Sequence, residues 1–538
     1  MENKAVTKLF GKEISGPFTI LSGIVATETS VLEKCANEIP GIGIVTTKSI
    51  GPELRPGNRE PIVAQYGYLS FINAVGLTNP GAEEFARRLS RIKIPDNKFV
   101  LASIFGRNVA EFYRVASILF PYVDGFEPNI SCPHDKIYGQ SIGQDRKLVE
   151  KIIRSVVSLG KPVFVKISPS LDVLETTKCI VRSGASGITA INTKGPELYL
   201  HDGYPVLSNK VGGVSGRAIL ELGLRCAKEV RSITNLPIIV GGGISIAEHV
   251  KRYEREARAD FFGIGSALAG MQTQEIKEYF HALSLDLGKG TNNAEKFLKT
   301  KLNMEYRKYR VVRNRQLAGD LFLLILDSDI EISPGQFIFA WIPEKGEKPF
   351  SVLDDTPLTL LIRIIGCFTT ELSKLKKGDA LYIRGPYGNS PKVGGRVLLV
   401  GGGTGLAGLY LFAKRNKRAI AVIGANDKKH LAFIEEFQSA CEELHLVTEN
   451  GEAGNKGLVT DRLEEILRNA RPDYCLNCGP APMIETALPK EIRFVNQERI
   501  YSSIEYLTRC GIGLCGSCAT PKGYRSCVDG TFMKFPVS

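Results

Sequence analysis

The sequence predicts an α/β protein with an N-terminal (βα)8 TIM barrel, a small β-barrel, a second α/β domain and a cysteine-rich C-terminal segment. Three observations predict it. Eight short apolar runs alternate with amphipathic stretches across residues 1–288. The pattern turns β-rich over 304–391 and returns to α/β over 392–495. Four of the twelve cysteines then crowd into residues 496–538. At 538 residues the chain exceeds one ordinary core, so several domains are expected.

The eight runs are FTILSGIV (18–25), GIGIVTTK (41–48), FVLASIFG (99–106), VDGFEPNI (123–130), PVFVKIS (162–168), GITAIN (187–192), PIIVGGG (237–243) and FFGIG (261–265). Strands buried on both faces read as continuous apolar runs, and stretches such as DRKLVEKIIRSVVSL supply the helices between them. A doubly wound sheet is the structural alternative. Residues 286–303 are polar and read as an interdomain connection. FLLILDS, GQFIFAWIP, LTLLIRIIG and DALYIRGPYG carry the β-rich part, and RVLLVGGGTGLAGLYLFAKR opens the second α/β part.

Composition narrows the function classes. Hydrophobic residues make up 43% and charged residues 23%, as in soluble globular proteins. No apolar stretch is long enough to span a bilayer, and MENKAVTKLFGKEISGPF has no signal-peptide core, so a cytoplasmic protein without a membrane partner is expected. The net charge of +12 is dispersed, without a basic stripe interleaved with aromatics. It reads as a solvated basic surface suited to anionic substrates rather than to nucleic acid.

A (βα)8 barrel places its chemistry at the C-terminal ends of its strands. Lys48 falls at the end of the second run, and Asn129, Ser131 and Cys132 follow the fourth. Lys166 is near the end of the fifth, and Asn192 and Thr193 end the sixth. Gly241, Gly242 and Gly243 end the seventh, with Gly265 and Ser266 ending the eighth. Glycines at the last two positions expose amides where such barrels bind phosphate. Cys132, in the polar stretch EPNISCPHDK, is either a base or nucleophile or an inert loop cysteine.

Cys510, Cys515, Cys518 and Cys527 are spaced C-x4-C-x2-C-x8-C. The start of that pattern is the ligand framework of a [2Fe–2S] cluster of the plant ferredoxin type. Gly511, Gly513 and Gly516 let backbone amides approach the sulfurs. VGGGTGLAGL (400–409) follows a strand and suits a dinucleotide pyrophosphate. Cys475 and Cys478 form a CxxC with no second pair, which leaves zinc without a full ligand set.

VTTKSIGPELRPGNREP, FINAVGLTNPG, EPNISCPH, VKISPS, AINTK, GGVSG, GGGIS and GIGSA together resemble the catalytic subunit of dihydroorotate dehydrogenase across nearly all of residues 1–288. The resemblance implies FMN, with contacts from Ser22, Gly23, Lys48, Lys166, Gly216, Gly242, Gly243, Gly265 and Ser266. It implies Asn73, Gly76, Leu77, Asn129, Asn192 and Thr193, with Lys48, around dihydroorotate or orotate, and Cys132 as the catalytic base. A cysteine base, without a membrane-binding extension, separates the chain from membrane-associated relatives that use serine. SCPH, with His134, replaces the SCPN of many members and is shared with dihydropyrimidine dehydrogenase. A pyrimidine reductase driven by NAD(P)H is therefore the alternative reading. His134 either touches substrate or packs within its loop.

Residues 304–538 resemble the electron-transfer subunit of NAD-linked dihydroorotate dehydrogenases, a ferredoxin-reductase-like flavoprotein. FAD is implied at Lys348, Pro349, Phe350 and Ser351, where lysine replaces the usual arginine, and at Arg363, Gly366 and Thr369, with GPYG (385–388) as a third stretch. Phe368 replaces a family glycine. Gly401, Gly403 and Gly405, supported by CGPAPM (478–483), are implied to bind NAD. The fusion implies electrons passing from FMN through the [2Fe–2S] cluster to FAD and NAD, in pyrimidine synthesis, in a homodimer formed through the barrels.

Overall fold

A computed structural model describes residues 7–130, 141–328 and 330–534. The chain divides into two units, residues 1–302 with 512–524, and residues 303–511 with 525–538.

The first unit is built on eight parallel strands: β1 (Phe18–Ile20), β2 (Ile42–Thr46), β3 (Phe99–Ile104), β4 (Gly125–Pro128), β5 (Phe164–Ile167), β6 (Gly187–Ala190), β7 (Ile238–Val240) and β8 (Phe261–Ile264). Each pairs with its sequence neighbour, and β8 pairs with β1. The bridges Phe126↔Val163 and Asn129↔Lys166 join β4 to β5 and close the circle. This is a (βα)8 barrel, which excludes the doubly wound alternative. Its strands are almost wholly buried because side chains fill the interior and helices cover the outside. The helix Arg146–Val157 shows the local logic. Asp145 caps it by accepting from the Leu148 amide at 3.0 Å, and Val149, Ile152, Ile153 and Val156 turn one apolar face inward.

An antiparallel sheet of Val63–Gly67, Ser70–Asn73, Val211–Gly216 and Lys194–Leu198 is added to the barrel. Its register sets Asn73 opposite Gly213 and Ser70 opposite Gly216. Residues 286–303 are more ordered than a polar connection. The helix Thr273–Lys289 runs into them, and a 3-10 turn follows at Asn293–Phe297. The reason is Asp286, fully buried, which accepts from Thr291 Oγ1, from Asn293 Nδ2 at 2.9 Å and from the Ala294 amide at 2.8 Å.

The second unit holds two sheets. Seven antiparallel strands include Arg307–Ala318, Leu321–Leu326, Phe337–Ile342, Gly346–Ser351, Leu358–Arg363 and Ala380–Tyr387. In the other sheet Asn455–Lys456, Glu443–Thr448, Ala419–Ala425, Val397–Gly402, Tyr474–Cys478 and Ile500–Ser503 run parallel in that order, with Met533–Lys534 as an antiparallel edge. Leu321, Leu323 and Leu361 of the first sheet share one apolar cluster with Leu399 of the second and with Leu406 and Phe412 in the turn and helix that follow it. Residues 496–538 do not form a body of their own. Ile500–Ser503 and Met533–Lys534 belong to the parallel sheet, while residues 512–524 fold with the barrel.

Candidate active site and electron-transfer sites

A cavity opens at the C-terminal ends of the barrel strands. Its wall includes Ser22, Gly23, Lys48, Asn73, Leu77, Asn129, Lys166, Asn192, Thr193, Gly216, Gly242, Gly243, Gly265 and Ser266. Gly76 stands off the wall. A Cβ there would lie 2.6 Å from the Asn58 amide nitrogen, so Gly76 shapes the turn that carries Leu77. Ser131, Cys132 and His134 lie outside the described residues.

The wall suits an anionic ligand with a phosphate. Lys48 and Lys166 are 8% and 5% exposed, so two ammonium groups stand in a largely dry site. Gly216, Gly242 and Gly243 have φ of +87°, +123° and +75°, which glycine alone adopts without strain. A Cβ at Gly216 would overlap the Leu69 carbonyl, and one at Gly243 would lie 2.8 Å from Leu220 Cβ. Thr193 Oγ1 is buried on the wall with no hydrogen-bond partner among the described residues, a polar atom left for a ligand. These residues fit FMN and a small polar substrate.

Ser49 was not singled out by its position in the sequence, yet it is a hub of the site. Its hydroxyl lies 3.1 Å from Ser22 Oγ and 2.9 Å from Ser103 Oγ, and it accepts from Asn129 Nδ2 at 3.3 Å. Asn192 Nδ2 donates in turn to Asn129 Oδ1 at 3.3 Å. One polar chain thus aligns the ends of β1, β2, β3, β4 and β6. The adjacency to Lys48 is the only sequence cue for Ser49. Glu127 is a second omission. It is 1% exposed and 3.8 Å from Lys166, and its Oε1 has no hydrogen-bond partner among the described residues.

The loop bearing Cys515 and Cys518 is seated on the barrel next to this cavity. The Val25 amide donates to the Leu514 carbonyl at 2.7 Å, Thr27 Oγ1 to the Cys515 carbonyl at 3.0 Å, and the Gly270 amide to the Ile512 carbonyl at 2.8 Å. Val25 is two residues beyond Gly23 of the cavity wall. In the second unit, Cys510 precedes Gly511 (φ +81°), and Cys527 lies in the short helix Ser526–Asp529. All four cysteines are buried, with Gly513 and Gly516 also in the left-handed region. Among the described residues no group of three or more His, Cys, Asp or Glu is arranged to hold a metal ion. A [2Fe–2S] cluster takes two thiolates on each iron, and four cysteine thiols are the right kind and number of donors for it.

In the antiparallel sheet, Lys348, Pro349 and Phe350 lie half-buried on Gly346–Ser351, and Ser351 is exposed at its end. Phe368 fills the place of the expected glycine by stacking on Phe350, with centroids 6.4 Å apart. The Thr369 hydroxyl is committed locally. It accepts from the Ile365 and Gly366 amides at 3.0 and 3.2 Å, closing the turn that presents Gly366. Arg363 ion-pairs with Asp320 at 3.3 Å, and one of its nitrogens would lie 3.9 Å from a Cβ on Gly403.

The glycine-rich turn follows Val397–Gly402 at the C-terminal edge of the parallel sheet, where a dinucleotide binds. It packs against CGPAPM. A Cβ at Gly402 would lie 2.7 Å from Met483 Sδ, and one at Gly405 would overlap the Cys478 carbonyl. Below this turn Asn477 Nδ2 donates to Glu491 Oε2 at 2.8 Å. Burial pushes the Glu491 carboxyl up to about 7, against the opposing pull of its hydrogen bonds with Asn477 and Cys475.

The sequence model of dihydroorotate dehydrogenase matches residues 4–282, more than half of the chain. The chain belongs to the dihydroorotate dehydrogenase family. It is 37% identical over 268 residues to the catalytic subunit of dihydroorotate dehydrogenase B (NAD(+)) of Methanocaldococcus jannaschii, covering 49% of this chain and 86% of that one. The corresponding Pyrococcus horikoshii subunit is 40% identical over 243 residues, 44% and 78% of the two chains. The probable electron transfer subunit of the Thermococcus kodakarensis enzyme is 39% identical over 230 residues, 41% of this chain and 94% of that one. Among solved structures, a NADH-dependent reduced ferredoxin-NADP oxidoreductase is 32% identical over 42% of this chain and 87% of its own, with a TM-score of 0.38.

The dihydroorotate dehydrogenase match contains every residue of the cavity wall. This member of the family joins in one chain the counterparts of two proteins that are separate subunits in those relatives.

Proposed function

We propose that this chain is an NAD-linked dihydroorotate dehydrogenase of pyrimidine synthesis, with catalytic and electron-transfer parts fused. The observation that carries the reading is the family's barrel cavity, with its two buried lysines, next to a seated loop bearing two of the four cluster cysteines. Oxidation of dihydroorotate removes a proton from C5 and a hydride from C6. Cys132 accepts the proton. Lys48, Asn73, Asn129, Asn192 and Thr193, with Leu77 beside them, orient the ring and its carboxylate. The Asn192–Asn129–Ser49 chain keeps those amides from turning.

Lys166, Ser22, Gly23, Gly216, Gly242, Gly243, Gly265 and Ser266 hold FMN. Lys348, Pro349, Phe350, Ser351, Arg363, Gly366 and Thr369 hold FAD, and Gly401, Gly403 and Gly405 hold NAD. Cys510, Cys515, Cys518 and Cys527 hold the [2Fe–2S] cluster. When bound, FMN would supply a hydride acceptor, the cluster a one-electron carrier and FAD a hydride donor toward NAD.

No helix among the described residues is long and apolar enough to cross a membrane. Thiolate ligands suit a reducing compartment, the cytoplasm. The barrel unit forms a homodimer through its added sheet, where Tyr66 and Leu198 are exposed, with Tyr68 and Leu200 exposed beside them. Sedimentation equilibrium of the holoenzyme distinguishes the dimer from a monomer. The activity is tested by offering the purified holoenzyme dihydroorotate with NAD and, separately, uracil with NADH or NADPH. Orotate and NADH are the expected products. Uracil reduction without dihydroorotate oxidation selects the alternative reading.

A further inference from the structure

Arg384 lies on the strand Ala380–Tyr387, directly before the Gly385-Pro386-Tyr387-Gly388 stretch, and is 1% exposed. Its guanidinium has two arms. Nε and one terminal nitrogen grip both oxygens of Glu347, itself 1% exposed, at 2.5 and 2.8 Å. The other terminal nitrogen donates to Tyr387 Oη at 2.8 Å and to the Cys510 carbonyl at 3.0 Å. Tyr306 Oη donates to the same Glu347 at 2.6 Å, and the Phe339 ring lies 3.9 Å from the guanidinium carbon.

A buried ion pair is costly unless its geometry is excellent and its remaining donors are satisfied. The arm toward Glu347 meets the first need. The second arm ends on the backbone of Cys510, and the chain beyond it lies flat on the same aromatic floor. A Cβ at Gly511 would lie 2.9 Å from the Phe339 ring and 3.2 Å from Tyr387. Only a planar fork reaches Glu347, Tyr387 and Cys510 at once, which a lysine cannot do.

We propose that Arg384 is a positioning residue for the iron–sulfur centre: it fixes Cys510 against the flavin-binding sheet, and its cation holds the cluster's reduction potential up. The inference rests on the cluster reading given above. Reduction adds negative charge to the cluster, and hydrogen bonding with local charge sets the potential of such centres. Glu347 opposes the cation, so the two residues act with opposite sign.

The test is an EPR-monitored redox titration of the holoenzyme, with iron and flavin content measured in parallel, on wild type, R384K and E347Q. R384K keeps the cation but loses the fork to Cys510, so its iron content falls at least severalfold with FAD retained. In E347Q, which removes the opposing charge, the reduced-to-oxidised ratio of the cluster at a fixed potential rises at least tenfold, a shift of about 59 mV for one electron. Wild-type iron content in R384K overturns the proposal. If R384K does not fold, E347Q decides, and an unchanged potential there overturns the proposal. Wild-type enzyme lacking iron removes the cluster reading itself, a result distinct from either variant outcome.

Discussion

Thr27 Oγ1 donates to the carbonyl of Cys515 at 3.0 Å, four residues past Gly23 of the cavity wall. Gly516 follows at φ +68°, and a Cβ there would overlap Thr27 Oγ1 and approach the Val25 carbonyl at 2.6 Å. Gly516→Ala therefore pushes the cysteine loop off the barrel. Iron content is expected to fall at least severalfold while FMN stays bound, as measured by metal and flavin analysis of purified protein. Full iron content in this variant contradicts the seating described.

Lys166→Met removes a buried cation and leaves Glu127 as a buried carboxylate without its ion partner. The expected cost is about 3–5 kcal/mol. The double variant with Glu127→Gln recovers much of that stability, because no buried charge is stranded, yet it does not recover FMN. Urea unfolding and bound-flavin ratios of the single and double variants check both parts.

Glu491 gives a pH dependence of known sign. Its folded-state value of about 7 lies above the ordinary 4.5, so the folded protein binds the extra proton between those values. Its contribution is fully present below about pH 4.5 and is lost as pH rises through about 7. Glu491→Gln keeps the amide partner Asn477 without a titrating proton. The difference in thermal midpoint, variant minus wild type, is expected to grow from pH 5 to pH 8. A constant difference across that range refutes the assignment.

The barrel was legible in the sequence because each parallel strand is buried on both faces and leaves a short apolar run ending in polar residues. Lys48, Lys166 and the glycines at the ends of β7 and β8 stood out for that reason. Partners set by tertiary structure were less visible. Ser49 is one serine among many until β1, β3 and β4 bring Ser22, Ser103 and Asn129 to it. Arg384 looks like a surface residue of a β-strand until Glu347 meets it from 37 positions away. The polar character of residues 286–303 concealed Asp286, whose buried carboxylate orders them. The C-terminal segment read as one piece because its cysteines are close in sequence, whereas its flanks pair with a sheet and its centre folds with the barrel.

Cys132→Ala separates the two ends of the electron path. Loss of a general base costs about 10²–10⁴-fold in rate. Dihydroorotate oxidation is expected to fall by that factor, while NADH still bleaches the flavins at the wild-type rate. Stopped-flow measurement of the two half-reactions tests this, and undiminished oxidation removes Cys132 from the chemistry.

The central claim is that one chain carries electrons from dihydroorotate to NAD across two different flavins. Anaerobic titration of the purified holoenzyme with dihydroorotate, after quantifying FMN, FAD and iron, tests it most directly. The account predicts FMN and FAD in equal amounts, two irons per chain, bleaching of both flavins by dihydroorotate, and release of NADH when NAD is added. A single kind of flavin, or flavins that dihydroorotate leaves oxidised, contradicts it.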